Sequence, residues 1–389
     1  MKIEVPELSL IILFGEPENI NKISPYFKKT EVLSLEMCKG LIADDESNTI
    51  INQKAMAILD NIISLRLELG KLTVVNATNI KNLKGFIEIA KKYDVESIAI
   101  VLNQVQNAFL GCLKKEGFNL IHVVKSLDEF EIIKVPLACN LKHEHGPFDI
   151  IGDVHGCYQE LITLLKKLGY VISDDFKVVH PDGRKIIFVG DLVDRGPEVV
   201  NVLKLVMTMV KDNIALCVPG NHDMKLLRKL KGHDVQITHG LEGTVKQLEN
   251  QAIDEEIINF LENLVSHYVF DDGKLIVAHA GLKEQYHGRL SKRVFSFALY
   301  GETTNETDEY GLPVRNNWAK DYYGKALVVY GHTPQEEVLI INNTINIDTG
   351  CVFGGKLTAF RYPERIFVDV KAYDKYYEPA HPFLLSTSL

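Results

Sequence analysis

Several features typical of secreted, membrane-bound or zinc-knuckle proteins are missing from this sequence. Its six cysteines contain no C-x-x-C pair, which argues against a zinc knuckle and against a disulfide framework, so we expect free thiols. No apolar stretch approaches the roughly 20 residues that a membrane span needs. The opening residues, Met1-Lys2-Ile3-Glu4, lack the basic and then apolar layout of a signal peptide. We therefore expect a cytoplasmic protein with no membrane partner.

Positive charge is also scarce, above all in the first part of the chain. The formal net charge is −9 at pH 7, which argues against a protein that coats long nucleic acids. Local recognition of a phosphate or a strand end remains compatible with this charge if metal ions supply the positive charge. Arg66 is the only arginine before Asp149.

The 389 residues exceed the usual size of one hydrophobic core, which favours two domains. β-like apolar runs alternate with helical patterns, and this alternation predicts an α/β fold with parallel sheets. A polar stretch at 141–147 interrupts the alternation, so we predict domains at 1–145 and 146–389. The predicted strands are 8–14, 72–75, 97–102, 120–124, 148–151, 185–189, 214–218, 274–278, 326–330 and 345–347. Segments 356–360 and 365–370 are predicted as a meander on the second sheet of a sandwich.

Polar motifs recur directly after most of these runs in the second domain. Loops at the carboxyl ends of strands build the sites of open α/β sheets, so we expect the motif side chains to converge. The motifs are Gly152-Asp153-Val154-His155-Gly156, Gly190-Asp191-Leu192-Val193-Asp194-Arg195-Gly196, Gly220-Asn221-His222-Asp223, Ala278-His279-Ala280-Gly281 and Gly331-His332-Thr333. Together they supply every ligand that a two-metal phosphoesterase requires.

The ligands divide between two divalent ions about 3.5–4 Å apart. We expect Asp153 and His155 to hold the first ion and Asp191 to bridge both ions. The second ion is expected to bind the amide and imidazole groups of Asn221, His279 and His332. This donor set suits Mn, Fe or Zn rather than Ca.

The remaining polar residues of the motifs fit roles in phosphate chemistry. Arg195 carries a guanidinium fork suited to two phosphate oxygens. His222 follows the ligand Asn221 directly and is the candidate general acid, with Asp194 as the carboxylate that orients its imidazole. We also expect Asn221 and His222 to contact the substrate beside Arg195. Asp348 is either a neighbour that orients a metal-bound histidine or a turn former.

The second domain, over roughly 148–382, resembles the phosphoprotein phosphatase branch of the calcineurin-like metallophosphoesterases. A finer likeness is to the phosphatase module of the bacterial polynucleotide kinase-phosphatases, which heal RNA ends. It rests on the runs 146–157, 298–304, 311–315, 347–355 and 361–365. The resemblance implies a metallophosphoesterase α/β sandwich and a phosphoesterase with two divalent ions, Mn above all and Fe, Zn or Ni as alternatives. It also implies an RNA end with a 2′- or 2′,3′-cyclic phosphate, or a nucleotide, as substrate.

Related bacterial diadenosine tetraphosphate hydrolases share most of these runs and remain an alternative. A Ser/Thr protein phosphatase is a weaker one, because Asp223 stands where the eukaryotic enzymes carry Glu.

The first domain resembles the P-loop kinase module of the same RNA-repair family over the runs 30–34, 38–41, 44–46, 70–75 and 77–79. Its phosphate-binding loop is degenerate. Pro17 removes an N–H donor, Glu16 and Glu18 repel phosphates, and no Gly-Lys-Ser/Thr follows. Glu36 replaces the family's Asp that activates the 5′-hydroxyl, and Asn76 replaces an acidic residue. The stretch 103–113 lacks the arginines of a nucleotide lid.

We therefore expect a P-loop-kinase-like domain without productive ATP binding, which leaves structural support, homodimerisation or substrate docking as its role. A scaffold that acts through this domain is a further alternative to the enzyme. The long form of the family carries a ligase after the phosphatase and this chain stops at Leu389, so we expect end sealing to come from elsewhere.

Overall fold

The computed structural model describes residues 2–77, 83–102, 107–126, 130–173, 175–249, 251–307 and 313–379. Parts of the predicted segments lie outside these ranges: 78–79 of the kinase-like framework, 103–106 of the lid region, 311–312 and the end of the chain from 380. The chain divides into two compact units, Met1–Leu137 with Arg289–Ser291 and Ala138–Gly288 with Lys292–Leu389.

The first unit is built on a parallel sheet, as the alternating pattern predicts. Its strands are β1 (Lys2–Pro6), β2 (Ser9–Phe14), β3 (Val32–Ser34), β4 (Thr73–Asn76), β5 (Glu96–Leu102), β6 (Leu120–Val124) and β7 (Glu131–Val135). Its helices are α1 (Pro17–Ile23), α2 (Leu35–Ala43), α3 (Asn52–Glu68), α4 (Lys84–Lys92) and α5 (Asn107–Glu116). Five strands pair in parallel in the order β3-β4-β2-β5-β6, and β1 pairs in parallel with β7.

The second unit contains more strands than helices. Its strands are β8 (Asn140–Leu141), β9 (Phe148–Ile151), β10 (Val171–Ile172), β11 (Val178–Val179), β12 (Lys185–Phe188), β13 (Ala215–Cys217), β14 (His267–Phe270), β15 (Leu275–Ala278), β16 (Thr303–Thr307), β17 (Pro313–Arg315), β18 (Leu327–Tyr330), β19 (Leu339–Ile341), β20 (Thr344–Asn346), β21 (Lys356–Tyr362) and β22 (Ile366–Lys371). Its helices are α6 (Tyr158–Leu168), α7 (Val199–Lys211), α8 (Asn221–Leu230), α9 (Leu241–Leu248), α10 (Asp254–Glu262) and α11 (Lys292–Tyr300).

Two sheets of this unit form the predicted sandwich. The β9 sheet has the order β13-β12-β9-β21-β22, and the β15 sheet has the order β19-β20-β18-β15-β14-β8. Alternate residues of each strand point to opposite faces, so Ile150 and Ile187 pack with Val277 and Val329 in a core shared by both sheets. The adjacent residues on these strands point to the opposite face and pack against α6 and α7 in a second core. The apolar residues of α6 and α7 recur every three or four positions.

One sequence prediction about the sandwich was wrong. The closing meander, β21 and β22, extends the β9 sheet and not the other one, because β21 pairs antiparallel with β9. This pairing sets Arg361 opposite the buried Asp149, and Arg361 Nε lies 2.9 Å from Asp149 Oδ1. Apolar alternation predicts the strands but does not say which open edge they join.

Two expectations about the chain as a whole can be compared with the structure. All six cysteines are free thiols, and all except Cys112 are buried. Among the helices within the described ranges, none is both long enough and apolar enough to cross a membrane.

Candidate metal centre

The five polar motifs all lie where a strand of the sandwich ends. The first three follow β9, β12 and β13, which are parallel neighbours, and the last two follow β15 and β18, which are also parallel neighbours. Carboxyl ends of parallel strands meet at one edge of a sheet, so both sheets deliver their motif loops to the same end of the sandwich.

The backbone of these loops is held in a conformation that side chains rarely adopt. His155, Asp191, Asp194, Arg195 and His332 all have φ between 43° and 73°. Each such residue costs of order 1–2 kcal/mol, which the surrounding packing must offset. Strain of this kind clusters at functional sites because it aims side chains into a confined space.

Two glycines make the close approach of the loops possible. A Cβ on Gly331 would lie 1.9 Å from Asp153 Oδ1, and a Cβ on Gly220 would lie 2.1 Å from Asp191 Oδ1. Both distances are far inside van der Waals contact, so any side chain at these positions would displace the carboxylates. This close packing is why glycine precedes His332 and Asn221 in the motifs.

Asp191 lies at the centre of the cluster. Its Oδ2 is 3.5 Å from His155 Nε2 and 3.6 Å from His279 Nε2, while its Oδ1 accepts a hydrogen bond from the backbone N of His222 at 2.9 Å. Ligands about 2.1 Å from one divalent ion are roughly 3–3.5 Å apart, so this oxygen has the spacing of a ligand to ions on both sides. The structure brings Asp191 Oδ2 close to both histidines, and its bridging role stays a prediction.

The second predicted ligand group is brought together as expected. His279 Nε2 lies 3.1 Å from Asn221 Oδ1 and 3.0 Å from His332 Nδ1. Asp191, His279 and His332 thus present donor atoms within 4.8 Å of one another, and His155, Asp191 and His222 form a second such group. The two groups share Asp191, but the second one contains the candidate acid His222 in place of Asp153, whose role as a ligand of the first ion stays a prediction.

Two buried polar atoms of the cluster have no hydrogen-bond partner in the described part of the chain: Asp153 Oδ1 and His332 Nε2. The other oxygen of Asp153 accepts from the backbone N of His332 at 3.1 Å. Leaving a buried acceptor unpaired costs about 1–3 kcal/mol, which makes such atoms candidates for a ligand role.

Backbone carbonyls orient two of the histidines. His155 Nδ1 lies 2.7 Å from the oxygen of Val193, and His279 Nδ1 lies 2.9 Å from the oxygen of Val189. Since a carbonyl only accepts, both Nδ1 atoms carry the proton and both Nε2 atoms offer a lone pair to the centre. These bonds fix the tautomer that a metal ion needs.

Burial further favours metal-binding forms of the imidazoles and disfavours charge on the carboxyls. It lowers the pKa of His279 to about 3 and the pKa values of His155 and His332 well below the ordinary value. Burial also raises the pKa of Asp191 to about 7. Neutral imidazoles have a free nitrogen that can bind a metal ion. Closely spaced, buried carboxyl groups keep their protons unless a cation is near, so both kinds of group fit a site for divalent cations. The residues present therefore fit two transition-metal ions.

The proposed catalytic residues lie against this cluster. His222 Nδ1 is 2.6 Å from Asp194 Oδ2, and its Nε2 accepts from Arg195 Nη2 at 2.9 Å. Because arginine has no acceptor, His222 is the neutral tautomer with its proton on Nδ1 toward Asp194. The other guanidinium nitrogen, Nη1, lies 2.9 Å from His155 Nε2. Arg195 thus spans the candidate acid and a candidate metal ligand.

Asp348 forms a turn in the structure. Its Oδ1 accepts from the backbone N of Gly350 at 3.0 Å, which fits the turn-forming alternative of the sequence analysis. Burial raises the pKa of Asp348 to about 7, and its charge raises the pKa of Asp153 further after burial has done so. Its carboxyl is therefore near the cluster.

Two residues support the site in ways that the sequence does not predict. Thr244 in α9 donates from Oγ1 to Asp194 Oδ1 at 2.6 Å and accepts from the backbone N of Asp194 at 3.0 Å. Asp223 accepts at 2.9 Å from the backbone N of Gly220 and of Leu192, so it joins two motif loops. Asp223 was visible in its motif, but Thr244 follows no motif and only the fold brings it to Asp194.

A second arginine near the centre was left out of the predicted set. Arg315 ends β17, and its charge contributes, after burial, to lowering the pKa of His279 and His332. A cation at this position fits a second contact to a substrate phosphate.

Comparison with known proteins agrees with this geometry. A family model described as calcineurin-like phosphoesterase matches residues 146–371. A protein of Anoxybacillus flavithermus named bis(5'-nucleosyl)-tetraphosphatase PrpE, asymmetrical, is 51% identical over 229 residues, which are 57% of this chain and 93% of that protein. A protein of the same name from Geobacillus sp. strain WCH70 is 52% identical over 222 residues, 56% of this chain and 90% of that protein. The chain therefore belongs to the calcineurin-like phosphoesterase family, hydrolases that act on phosphate esters at a centre of two divalent metal ions.

Proposed function

We propose that this chain hydrolyses dinucleoside tetraphosphates into unequal nucleotides. The observation that carries the proposal is the 51% identity to a protein named as an asymmetrical tetraphosphatase, across 93% of that protein's length. Unequal cleavage means that water adds to a phosphorus at one end of the tetraphosphate. The bridging bond to that phosphorus breaks, and a nucleoside monophosphate and a nucleoside triphosphate result.

Each motif residue has a role in this reaction. Two divalent ions, held by Asp191 with Asp153 and His155 on one side and with Asn221, His279 and His332 on the other, would neutralise the phosphate and supply hydroxide near neutral pH. The guanidinium of Arg195 binds two phosphate oxygens in place of the imidazole nitrogens that it now contacts. His222, released from Arg195 and held at Nδ1 by Asp194, would take up at Nε2 the proton that the attacking water gives up, and would then pass it to the leaving oxygen.

The positive charge at the site favours a substrate with several phosphates. Arg195 and Arg315 both act on the pKa of Asp191, so two guanidinium groups lie within electrostatic range of the centre. A phosphomonoester occupies one such group, whereas a tetraphosphate chain offers oxygens to both. We propose Arg315 as the second phosphate contact.

The test is the product pattern from diadenosine tetraphosphate in Mn, separated by anion-exchange chromatography. Equal amounts of ATP and AMP are expected, and Asp191→Ala should abolish their formation. The exposed carboxylate variant Asp212→Asn is the matched control and should react like the wild type. Absence of cleavage by a protein that still hydrolyses p-nitrophenyl phosphate, or formation of two ADP, would contradict the proposal.

A second candidate is hydrolysis of 2′,3′-cyclic or 2′-phosphate RNA ends in an RNA-repair setting. It is favoured by the N-terminal unit, because the tetraphosphatase relatives match only 56–58% of this chain. The five-stranded parallel sheet of that unit is consistent with the kinase-like module of the polynucleotide kinase-phosphatases. Side-by-side rates on RNA 2′-phosphate and diadenosine tetraphosphate distinguish the candidates, since the RNA substrate should be faster only under the second one.

We further propose that residues 1–145 form a separate pseudokinase domain and residues 146–389 the phosphoesterase domain. After β2, Glu16 and Glu18 are exposed, and α1 begins at Pro17, which has no N–H for a phosphate. Calorimetric titration with ATP and Mg should therefore give no binding heat. Light scattering of the full chain tests whether this domain forms a homodimer.

A further inference from the structure

The side chain of Arg195 is held by groups other than its hydrogen-bond partners. Its guanidinium carbon lies 5.0 Å from the ring centroid of Phe353 and 5.9 Å from that of Tyr377. Its Nε is buried and, within the part of the chain that the structure describes, has no hydrogen-bond partner. The fork is therefore oriented by aromatic rings along with two histidine nitrogens.

Tyr377 reaches Arg195 from a segment far away in the sequence. This segment, the C-terminal strap, comprises residues 372–379 and follows β22. The backbone N atoms of Tyr376 and Tyr377 both donate to the oxygen of Val352, at 3.0 and 3.1 Å, and that of Ala372 donates to Gly355 at 2.9 Å. The strap therefore packs on the loop that carries Phe353.

A buried carboxylate in α6 anchors the strap a second time. Glu160 is only 1% exposed, and its Oε1 accepts from the backbone N of Tyr373 and from the hydroxyl of Tyr376, both at 2.8 Å. The two contacts hold the strap at Tyr373 and Tyr376, directly before Tyr377. The ring of Tyr377 is consequently placed by the fold and not by a flexible tail.

We propose that Tyr377 is a positioning residue for Arg195, with Phe353 as the second ring against the guanidinium. The inference rests on the proposed role of Arg195 in binding phosphate. Arg195 has a left-handed backbone at φ 71°, and a Cβ on Gly240 would lie 2.8 Å from its Cγ, so the close backbone of Gly240 limits the directions in which its stem can leave. The rings then hold the planar end of the side chain at the centre by cation–π contact, which does not compete with phosphate for the N–H groups.

The hydroxyl of Tyr377 has no part in this role, whereas the ring does. Loss of a cation–π contact of this kind changes an equilibrium constant or a rate constant by a factor between about 2 and about 30. We therefore expect Tyr377→Leu to lower kcat/KM on p-nitrophenyl phosphate by a factor in that range. Tyr377→Phe should retain the wild-type value.

The control variant is Tyr373→Leu, on the same strap. Tyr373 is 59% exposed, and its hydroxyl bonds to Thr163 at 2.6 Å. If the strap matters only for stability, Tyr373→Leu and Tyr377→Leu should lower the melting temperature together and leave kcat/KM unchanged. If Tyr377 positions Arg195, only the Tyr377 variant loses kcat/KM.

The deciding experiment is a double-mutant cycle with Arg195→Ala on p-nitrophenyl phosphate in Mn. The proposal expects Tyr377→Leu to cause no further loss in the Arg195→Ala background. The same loss in both backgrounds, or full activity of Tyr377→Leu alone, would overturn it. If Tyr377→Leu does not fold, Tyr377→Met supplies an unbranched side chain without a ring for the same cycle.

Because the substrate is a monoester, failure of the tetraphosphate proposal leaves this test intact. An Arg195→Ala variant with wild-type kcat/KM would instead show that the proposed role of Arg195 is wrong.

Discussion

The hydroxyl of Thr244 provides a specific test of the catalytic roles assigned to Asp194 and His222. Thr244, Asp194 and His222 are all buried, and a chain of short contacts joins Thr244 Oγ1 to Asp194 at 2.6 Å and Asp194 to His222 Nδ1 at 2.6 Å. Thr244→Val keeps the shape of the side chain but removes the donor. One oxygen of a buried carboxylate then loses its partner, so the carboxylate no longer holds the imidazole in one orientation.

The size of the effect follows from these contacts. A hydrogen bond to a charged group contributes about 1.5–3 kcal/mol, so the free energy of unfolding should fall by about that amount. General acid catalysis contributes about 10²–10⁴-fold, and a misoriented acid should lose part of it. We expect kcat to fall about 10- to 100-fold on phenyl phosphate, whose leaving group needs a proton. On p-nitrophenyl phosphate, whose leaving group departs more readily as an anion, the loss should stay below about 3-fold.

The assay compares kcat on both esters for the wild type, Thr244→Val and Thr244→Ser, which keeps the hydroxyl. Thr344→Val is the matched control, since Thr344 is equally buried in β20 and donates to the backbone oxygen of Ile341 at 2.8 Å. It should lose stability and keep the wild-type ratio of the two rates. Equal losses on both esters for Thr244→Val would refute the assignment of His222 as the acid positioned through Asp194.

Three further predictions concern stability and metal binding. Burial lowers the pKa of His267 to about 3, so between about pH 3 and pH 6.5 the unfolded chain binds a proton that the folded chain does not. The contribution of this residue to the free energy of unfolding is therefore complete above about pH 6.5. It falls below that pH by up to about 1.4 kcal/mol per pH unit. Denaturant unfolding at pH 7 and pH 5 should therefore show a smaller pH dependence for His267→Gln than for the wild type, and an unchanged dependence would contradict this. Gly331→Ala should displace Asp153 and lower the metal content measured by mass spectrometry, whereas Gly243→Ala, whose added methyl meets nothing within 4 Å, should not. Asp149→Asn should lower the free energy of unfolding by about 3–5 kcal/mol, because Asp149 is the buried partner of two arginines. The metal content should stay unchanged. A loss of metal at unchanged stability would give Asp149 a different role.

The sequence predicts eight of the eleven strands in the two sandwich sheets, because their apolar runs are short and a polar motif follows most of them, but it did not predict β8, β14 and β19. The predicted strand at 148–151 has the same bounds as β9. The predicted strands before His279 and His332 each begin one residue earlier than β15 and β18 and end at the same residue. The apolar pattern did not predict the sheet that β21 joins, since alternation does not identify the partner strand, and contacts across this pair, such as Asp149–Arg361, span 212 positions of sequence.

Within the site, the sequence could predict groups that share a motif but not those that meet only through the fold. His155 and Asp191 come together because their motifs end the neighbouring strands β9 and β12, and His279 joins them from the end of β15 in the facing sheet. Thr244 and Tyr377 approach Asp194 and Arg195 from a helix and from the C-terminal strap, and no local pattern marks them. Their roles depend on packing, which a single sequence does not show.

We expect Asp191 to join two cations held by the motif side chains. A crystal structure of the Mn-loaded protein with anomalous scattering data tests this expectation. Two anomalous peaks about 3.5–4 Å apart, with Asp191 Oδ2 between them and His155 and His279 on opposite sides, are the predicted result. A single peak, or two peaks that Asp191 does not contact, would contradict it.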